Sequence, residues 1–392
     1  MKGVTSTGIH AVDVGVVPTP VVYYAANTLP VDGLAMITGS HNPAEYNGFK
    51  VCLGKDTLYG EQIQDLRGRM ERKDFKGSPG GERESYAIIP PYWEHVGRDV
   101  PSLARPLKVV VDAGSGVGGP VGPPIFRRLG CQVWEIACEM DGSFPIHHPD
   151  PTIPENLKLL IEKVKEVKAD LGIAYDGDAD RIGAVDENGN ILWGDELLIL
   201  FARDLLKQRP GATIISEVKC SQRLFDQIRL HGGHPIMWKA GHSLLKAKMK
   251  ETKAALAGEM SGHMFFADRY FGYDDAIYAS LRLVELVARS GKPLSALLAD
   301  VPKSVSTPEI RVDFPDDKKF EIAAAATEYF RRRYPIIDVD GVRVQFPEGW
   351  GLIRASNTQP ALVLRFEASS AEKLKEYRDI VESALQELER SS

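Results

Sequence analysis

Four times along this chain an apolar, strand-like run passes straight into a polar loop: GLAMITGSHNP, DLGIAYDGDADR, AALAGEMSGH and GWGLIRASNTQP. Longer segments of helical period lie between them, and that alternation favours α/β layers over an all-α or all-β fold. The pattern predicts strands at 34–37, 108–111, 132–136, 171–174 and 213–215, and helices at 61–71, 155–167, 196–207, 275–288 and 371–388. In open α/β sheets, ligands sit beyond the carboxyl ends of strands. Four such loops therefore suggest one shared cleft, with a wall from each segment.

Composition narrows the field. The 392 residues carry 48 Lys plus Arg against 54 Asp plus Glu, a net charge of −6, which argues against a nucleic-acid-binding protein. With 43% apolar and 26% charged residues, the chain is globular, not disordered. Cys52, Cys131, Cys138 and Cys220 form no CxxC pair, so neither a zinc site nor a disulfide framework is indicated. There is no apolar run of about 18 residues to span a membrane, and MKGVTSTGIHAVDVG lacks a signal-peptide core. A soluble cytoplasmic protein is expected. The turn-rich KGSPGGER and later polar interruptions place boundaries near 88, 190 and 303. The segments are then 1–88, 89–190, 191–302 and 303–392, the last differing in texture, with strands at 310–312 and 342–346 before a long charged helix.

Each loop has a chemistry and a plain alternative. In TGSHNP, Gly39 permits a tight turn that would expose Ser40 as a nucleophile, with His41 or Lys50 to manage its proton. A turn in which Ser40 and Asn42 bond their own backbone explains it equally. Asp176, Asp178 and Asp180 would repel one another without a cation, and hard oxygen ligands suit Mg²⁺ or Ca²⁺. An EF-hand would need glycine where Arg181 stands. A haloacid-dehalogenase-like aspartyl nucleophile would need Thr or Val in place of Asp180. Metal binding is the better reading, and Arg181 could grip a carboxylate or phosphate beside it. Glu259 and Ser261 would share a side in an extended stretch and suit paired sugar hydroxyls; a capped turn is the alternative. Arg354, Ser356, Asn357 and Thr358 crowd donors into five residues, as a phosphate dianion requires.

Two further motifs carry less. Gly114–Gly119 matches GxGxxG, but Pro120, Pro123 and Pro124 crowd the helix start that should hold a pyrophosphate. His147 and His148 invite a metal reading, yet the surrounding prolines at 145, 149, 151 and 154 suggest a rigid loop.

Taken together, the four loops and stretches such as YNGFKV, FPIHHPDPTIPENL and WKAGHSLLKAKMKE resemble the α-D-phosphohexomutase family, in its bacterial phosphomannomutase/phosphoglucomutase branch. The resemblance spans essentially the whole chain. It implies four domains around a central cleft, three similar mixed α/β units plus a C-terminal α+β domain. It implies an isomerase in which Ser40 carries a phosphoryl group and, with Asp176, Asp178 and Asp180, holds Mg²⁺. Mannose and glucose 1-phosphates would interconvert with their 6-phosphates through a hexose 1,6-bisphosphate, glucose 1,6-bisphosphate also serving as activator. His41 and Lys50 would handle protons. Glu259 and Ser261 would read the sugar, Arg354, Ser356, Asn357 and Thr358 would hold its second phosphate, and Arg181, Lys219, His242 and His263 would line the cleft. The partners implied are small hexose phosphates acting on a monomer. Ala179 departs from the family's usual glycine. Members also open with an earlier strand and an FRxYDIRG-type loop, whereas only 33 residues precede Leu34 here. A truncated first domain is therefore expected. Two rival readings follow: a sugar-phosphate-binding remnant without activity, and a phosphatase with Asp176 as nucleophile.

Overall fold

The structure, a computed structural model, describes residues 1–42, 46–357 and 359–391. The first segment carries β1 (Ala11–Asp13), β2 (Gly33–Thr38), β3 (Gly48–Leu53), β4 (Asp56–Thr57) and β5 (Arg83–Ser85). Strands β2, β3 and β4 form an antiparallel sheet in which Met36 pairs with Lys50 and Ile37 with Phe49, while β1 and β5 make a separate parallel pair.

The second segment holds β6 (Lys108–Asp112), β7 (Gln132–Ile136), β8 (Leu171–Tyr175), β9 (Ile182–Asp186) and β10 (Ile191–Leu192). The sheet order is β10-β9-β8-β6-β7, with β7, β6 and β8 parallel and β9 and β10 returning antiparallel. The third segment repeats the layout with β11 (Thr213–Glu217), β12 (His234–Trp238), β13 (Leu256–Gly258) and β14 (Met264–Phe266), in the order β12-β11-β13-β14. Thus β8 and β13 occupy one structural place, a parallel strand followed by a loop and an antiparallel return. Strand β2 has the same return in β3, but it lies at the sheet edge among the described residues.

All five residues of β8 are buried. An unbroken apolar run is what a sheet covered on both faces requires. Helix Lys158–Val167 covers one face through Leu160 and Val164, so closely that a Cβ at Gly172 would sit 2.8 Å from either side chain. Helix Ala276–Ser290 packs against β8, β9 and β14, joining the cores of the second and third segments. Asp275 caps it, accepting the Tyr278 N–H at 2.8 Å.

The fourth segment is antiparallel: β15 (Val305–Ser306), β16 (Ile310–Asp313), β17 (Ile336–Ile337), β18 (Val342–Phe346), β19 (Gly349–Ala355) and β20 (Ala361–Ala368). Helices Lys319–Arg331 and Ala371–Ser391 pack on it around Phe330, Phe366 and Val381. A buried polar joint fixes it to the third segment. Arg343 stacks 3.7 Å above the Trp350 ring and donates to the carbonyls of Val218 (2.7 Å) and Cys220 (2.8 Å). Glu367 accepts from Trp350 Nε1 at 2.6 Å and Gln222 N–H at 2.9 Å.

One expectation differs in detail. The helix predicted from 155 opens as a 3₁₀ turn, Pro154–Leu157, and becomes α-helical only at Lys158. No side chain caps Ile153, and the Asn156 amide turns back to the Asp150 carbonyl at 2.9 Å. Near 190 the chain turns in the β9–β10 hairpin, where Asp186 accepts the backbone N–H groups of Asn188 and Asn190. Among the described residues no helix is long and apolar enough to cross a membrane.

Candidate active site

Beyond β2, Ser40 adopts a φ of 50°, a left-handed conformation that side chains seldom take. Its N–H donates to Thr38 Oγ1 at 2.9 Å, and its hydroxyl donates to Asp176 Oδ2 at 2.6 Å. His41 Nδ1 lies 3.0 Å from that hydroxyl. Gly177 leans on the same turn: a Cβ there would stand 2.2 Å from the Ser40 carbonyl oxygen.

The loop after β8 supplies Asp176, Asp178 and Asp180, all buried, with oxygens within 4.8 Å of one another. Asp176 Oδ1 accepts the N–H groups of Asp180 and Arg181, each at 3.1 Å. Asp178 Oδ2 accepts from Thr19 (2.8 Å), Thr38 (2.9 Å) and Lys50 (2.9 Å), and Lys50 also pairs with Asp180. Burial, then Asp180 and Asp178, push the Asp176 carboxyl well above its ordinary range. Burial works against the Lys50 charge, but Asp180 and Asp178 override it and raise its pKa. Asp178 Oδ1 and Asp180 Oδ1 remain buried without a hydrogen-bond partner. Orphaned carboxylate oxygens are costly inside a protein. A hard divalent cation fits them, since carboxylate oxygens are the ligands such an ion prefers.

The loop after β13 is a tight turn, the alternative to an extended stretch. Gly262, at φ 95°, donates its N–H to the Glu259 carbonyl at 3.0 Å, and a Cβ at Gly262 would strike the Ile182 carbonyl oxygen at 2.3 Å. Glu259 and Ser261 still meet, hydroxyl to carboxylate at 3.2 Å. Arg181 Nε donates to His263 Nε2 at 3.1 Å. His263 Nδ1 lies 3.2 Å from Asp274 Oδ2, which also stands 3.2 Å from His242 Nδ1.

Arg354, at the end of β19, donates to Asp340 Oδ2 at 2.9 Å; that oxygen also accepts the Ala240 N–H at 3.0 Å. The next residue, Gly241, donates to Glu259 Oε1 at 2.7 Å. Lys219 Nζ sits 3.0 Å from Glu309 and 3.5 Å from Glu217, whose other contact is the Met260 N–H. Burial lifts the Glu217 carboxyl to about 7 against the opposing pull of Lys219.

The four loops are thus joined. Ser40, His41, Lys50, the three aspartates, Arg181, His242, Glu259, Ser261 and His263 form one side-chain cluster, with Lys219 and Arg354 linked to it through Glu217 and Asp340. Ser356 Oγ accepts the Gln359 N–H within its own loop, and Asn357 is exposed. Thr358 lies outside the described residues. Sequence reasoning missed Thr19, Asp274, Asp340 and Glu217. Asp274 had a signal, the paired carboxylates of FGYDDA before an apolar helix. The GxGxxG loop serves packing: a Cβ at Gly116 would lie 2.5 Å from the Gly177 carbonyl oxygen, inside the acidic loop.

Comparison with known proteins identifies the family. Profiles described as phosphoglucomutase/phosphomannomutase alpha/beta/alpha domains I, II and III match residues 1–77, 90–189 and 193–305, and the C-terminal domain matches 309–384. A phosphomannomutase/phosphoglucomutase from Pseudomonas aeruginosa is 49% identical over 392 residues, covering 100% of this chain and 84% of its own. A phosphoglucomutase from Neisseria gonorrhoeae is 47% identical over 94% of this chain and 81% of its own. The crystal structure of a phosphoglucomutase/phosphomannomutase family protein from Burkholderia thailandensis superposes with a TM-score of 0.91 at 45% identity, over 98% of this chain and 84% of that one. With all four domains matched in order and near-half identity along its whole length, the chain belongs to the phosphoglucomutase/phosphomannomutase family.

Proposed function

We propose that this chain is a phosphohexomutase that moves a phosphoryl group between the 1- and 6-positions of glucose and mannose phosphates. Ser40 carries the phosphoryl group and gives it to the free hydroxyl of a hexose monophosphate. The hexose 1,6-bisphosphate so formed turns over in the cleft and returns its other phosphoryl group to Ser40. The observation that carries this reading is the Ser40 hydroxyl, 2.6 Å from Asp176 at the rim of a loop with two orphaned carboxylate oxygens.

Phosphoryl transfer asks for positioning and charge neutralisation more than for covalent work by the protein. Ser40, Asp176, Asp178 and Asp180 would hold Mg²⁺, which when bound offsets the charge of the transferring group. His41, 3.0 Å from the Ser40 hydroxyl, would exchange its proton together with Lys50, which Asp178 and Asp180 hold as a cation. Glu259 and Ser261 suit sugar hydroxyls common to both hexoses. Arg354, Ser356, Asn357 and Thr358 suit the phosphate that is not reacting, and Arg181, Lys219, His242 and His263 line the space between.

The test is conversion of glucose 1-phosphate with Mg²⁺ and a trace of glucose 1,6-bisphosphate. Turnover should require the bisphosphate and vanish in Ser40→Ala with the fold intact. Turnover retained by Ser40→Ala would refute the reading. Phosphate release surviving that change would favour Asp176 as a phosphatase nucleophile, and ligand binding without turnover would favour an inactive remnant.

A further inference from the structure

The mechanism above leaves the histidine pair of FPIHHPDP unused. His147 Nε2 lies 3.0 Å from both carboxylate oxygens of Asp112, which is buried at the end of β6. Its Nδ1 lies 3.0 Å from the carbonyl oxygen of His148. A carboxylate and a carbonyl can only accept, so both ring nitrogens of His147 donate. The ring thereby ties the backbone of His148 to the second sheet.

His148 reaches further. Its Nε2 lies 2.6 Å from the carbonyl oxygen of His41, so Nε2–H donates across 107 residues of sequence to the peptide just after Ser40. Ser40 holds a left-handed backbone conformation, which persists only where its surroundings over-determine it. The second segment contributes twice to that constraint. Gly177 leaves room for the Ser40 carbonyl, and His148 anchors the next one.

We propose that His148 is a positioning residue: its hydrogen bond to the His41 carbonyl locks the turn that aims the Ser40 hydroxyl at the acidic loop. The inference rests on Ser40 as the phosphoryl carrier. The test compares His148→Ala with His148→Gln, which keeps an amide donor, in the full chain and by two readouts. In the first, hydrogen exchange of the peptide 38–42 should quicken roughly five- to tenfold in His148→Ala, as for one lost hydrogen bond. Exchange over 171–175 should not change, and His148→Gln should stay near wild type. In the second, kcat for glucose 1-phosphate should fall about 10- to 100-fold in His148→Ala, the scale of a misplaced reacting group, while KM holds. His148→Gln should recover most of it.

Unaltered exchange at 38–42 in His148→Ala would overturn the proposal. So would equal impairment of both variants, faster exchange throughout 171–186, or a raised KM with kcat unchanged. If the wild-type chain shows no mutase turnover, the proposed function fails, and the exchange readout alone still decides whether His148 holds the turn.

Discussion

Strands β2 and β8 do the same job in opposite settings. Each runs into a functional loop and is followed by an antiparallel return. Strand β8 lies between β6 and β9 with a helix on each face, and every residue in it is buried. Strand β2 is an edge, and one face of its sheet is bare: Ile37, Phe49 and Leu53 are 61%, 67% and 73% exposed. Helix Glu61–Glu71 spaces Ile63, Leu66 and Met70 along one stripe, yet buries none of its residues. The serine loop is nonetheless as closely specified as the acidic one. Its contacts come from the second segment: Thr38 and Lys50 to Asp178, Ser40 to Asp176, and His41 to His148. The first segment buries helix Thr19–Thr28 against the other face of this sheet, and takes its alignment at the site from contacts with the second segment.

The largest test of that contrast concerns the joint itself. Chelating divalent cations should remove essentially all turnover, and Mg²⁺ should restore it; activity persisting in chelator would break the account of the acidic loop. Core substitution comes next. Ile173→Ala, in β8, should cost about 2–5 kcal/mol, whereas Phe49→Ala should cost under about 0.5 kcal/mol. Equal shifts in the urea midpoint would mean that the face of β2–β3 is covered in solution. Gly177→Ala forces a Cβ against the Ser40 carbonyl oxygen and should cost roughly 1–3 kcal/mol, as overpacking does. It should also lower kcat while leaving exchange in β6 and β7 unchanged; slowed turnover without any change at 38–42 would count against the contact.

A smaller effect tests the deep side of the comparison. Burial raises the Asp275 carboxyl to about 6, against hydrogen bonds from the Tyr278 N–H and the Tyr270 and Tyr92 hydroxyls. The unfolded chain ionises this group first. Its contribution to stability is therefore complete below about pH 4 and is lost as the pH rises through about 6, by roughly 3 kcal/mol at most. Asp275→Asn should flatten the stability curve between pH 4 and 6. An unchanged slope would assign the pH dependence elsewhere.

Much of this was legible in the residues. The runs at 108–111, 132–136 and 171–174 become strands with ends moved by at most one residue: the first and last are apolar runs buried in the sheet interior, and 132–136 is the half-exposed strand at its edge. Three carboxylates within five residues point to a group that could hold a cation, and the structure brings their oxygens within 4.8 Å of one another. What stayed hidden depends on tertiary placement. Thr19 meets Asp178 across 159 residues, and Asp340 reaches Ala240 across 100. The Glu259–Ser261 stretch alternates like a strand, but the left-handed Gly262 turns it. At Ser40 the unusual backbone is unreadable in principle, because no glycine marks it.

The joint of Arg343, Trp350 and Glu367 bears on how such a protein can be recombined. Cutting the chain near 303 and grafting the fourth segment of a relative would respect connectivity while dividing a physical unit. The incoming arginine would meet the carbonyls at 218 and 220 of a different host, and Glu367 would seek the Gln222 N–H. The inheritable module is therefore discontinuous: the fourth segment together with residues 217–222. A chimera carrying both pieces keeps the Gln222 side chain on Arg343 and the Ser221 hydroxyl on Glu367, and one carrying only the C-terminal stretch depends on its host for both.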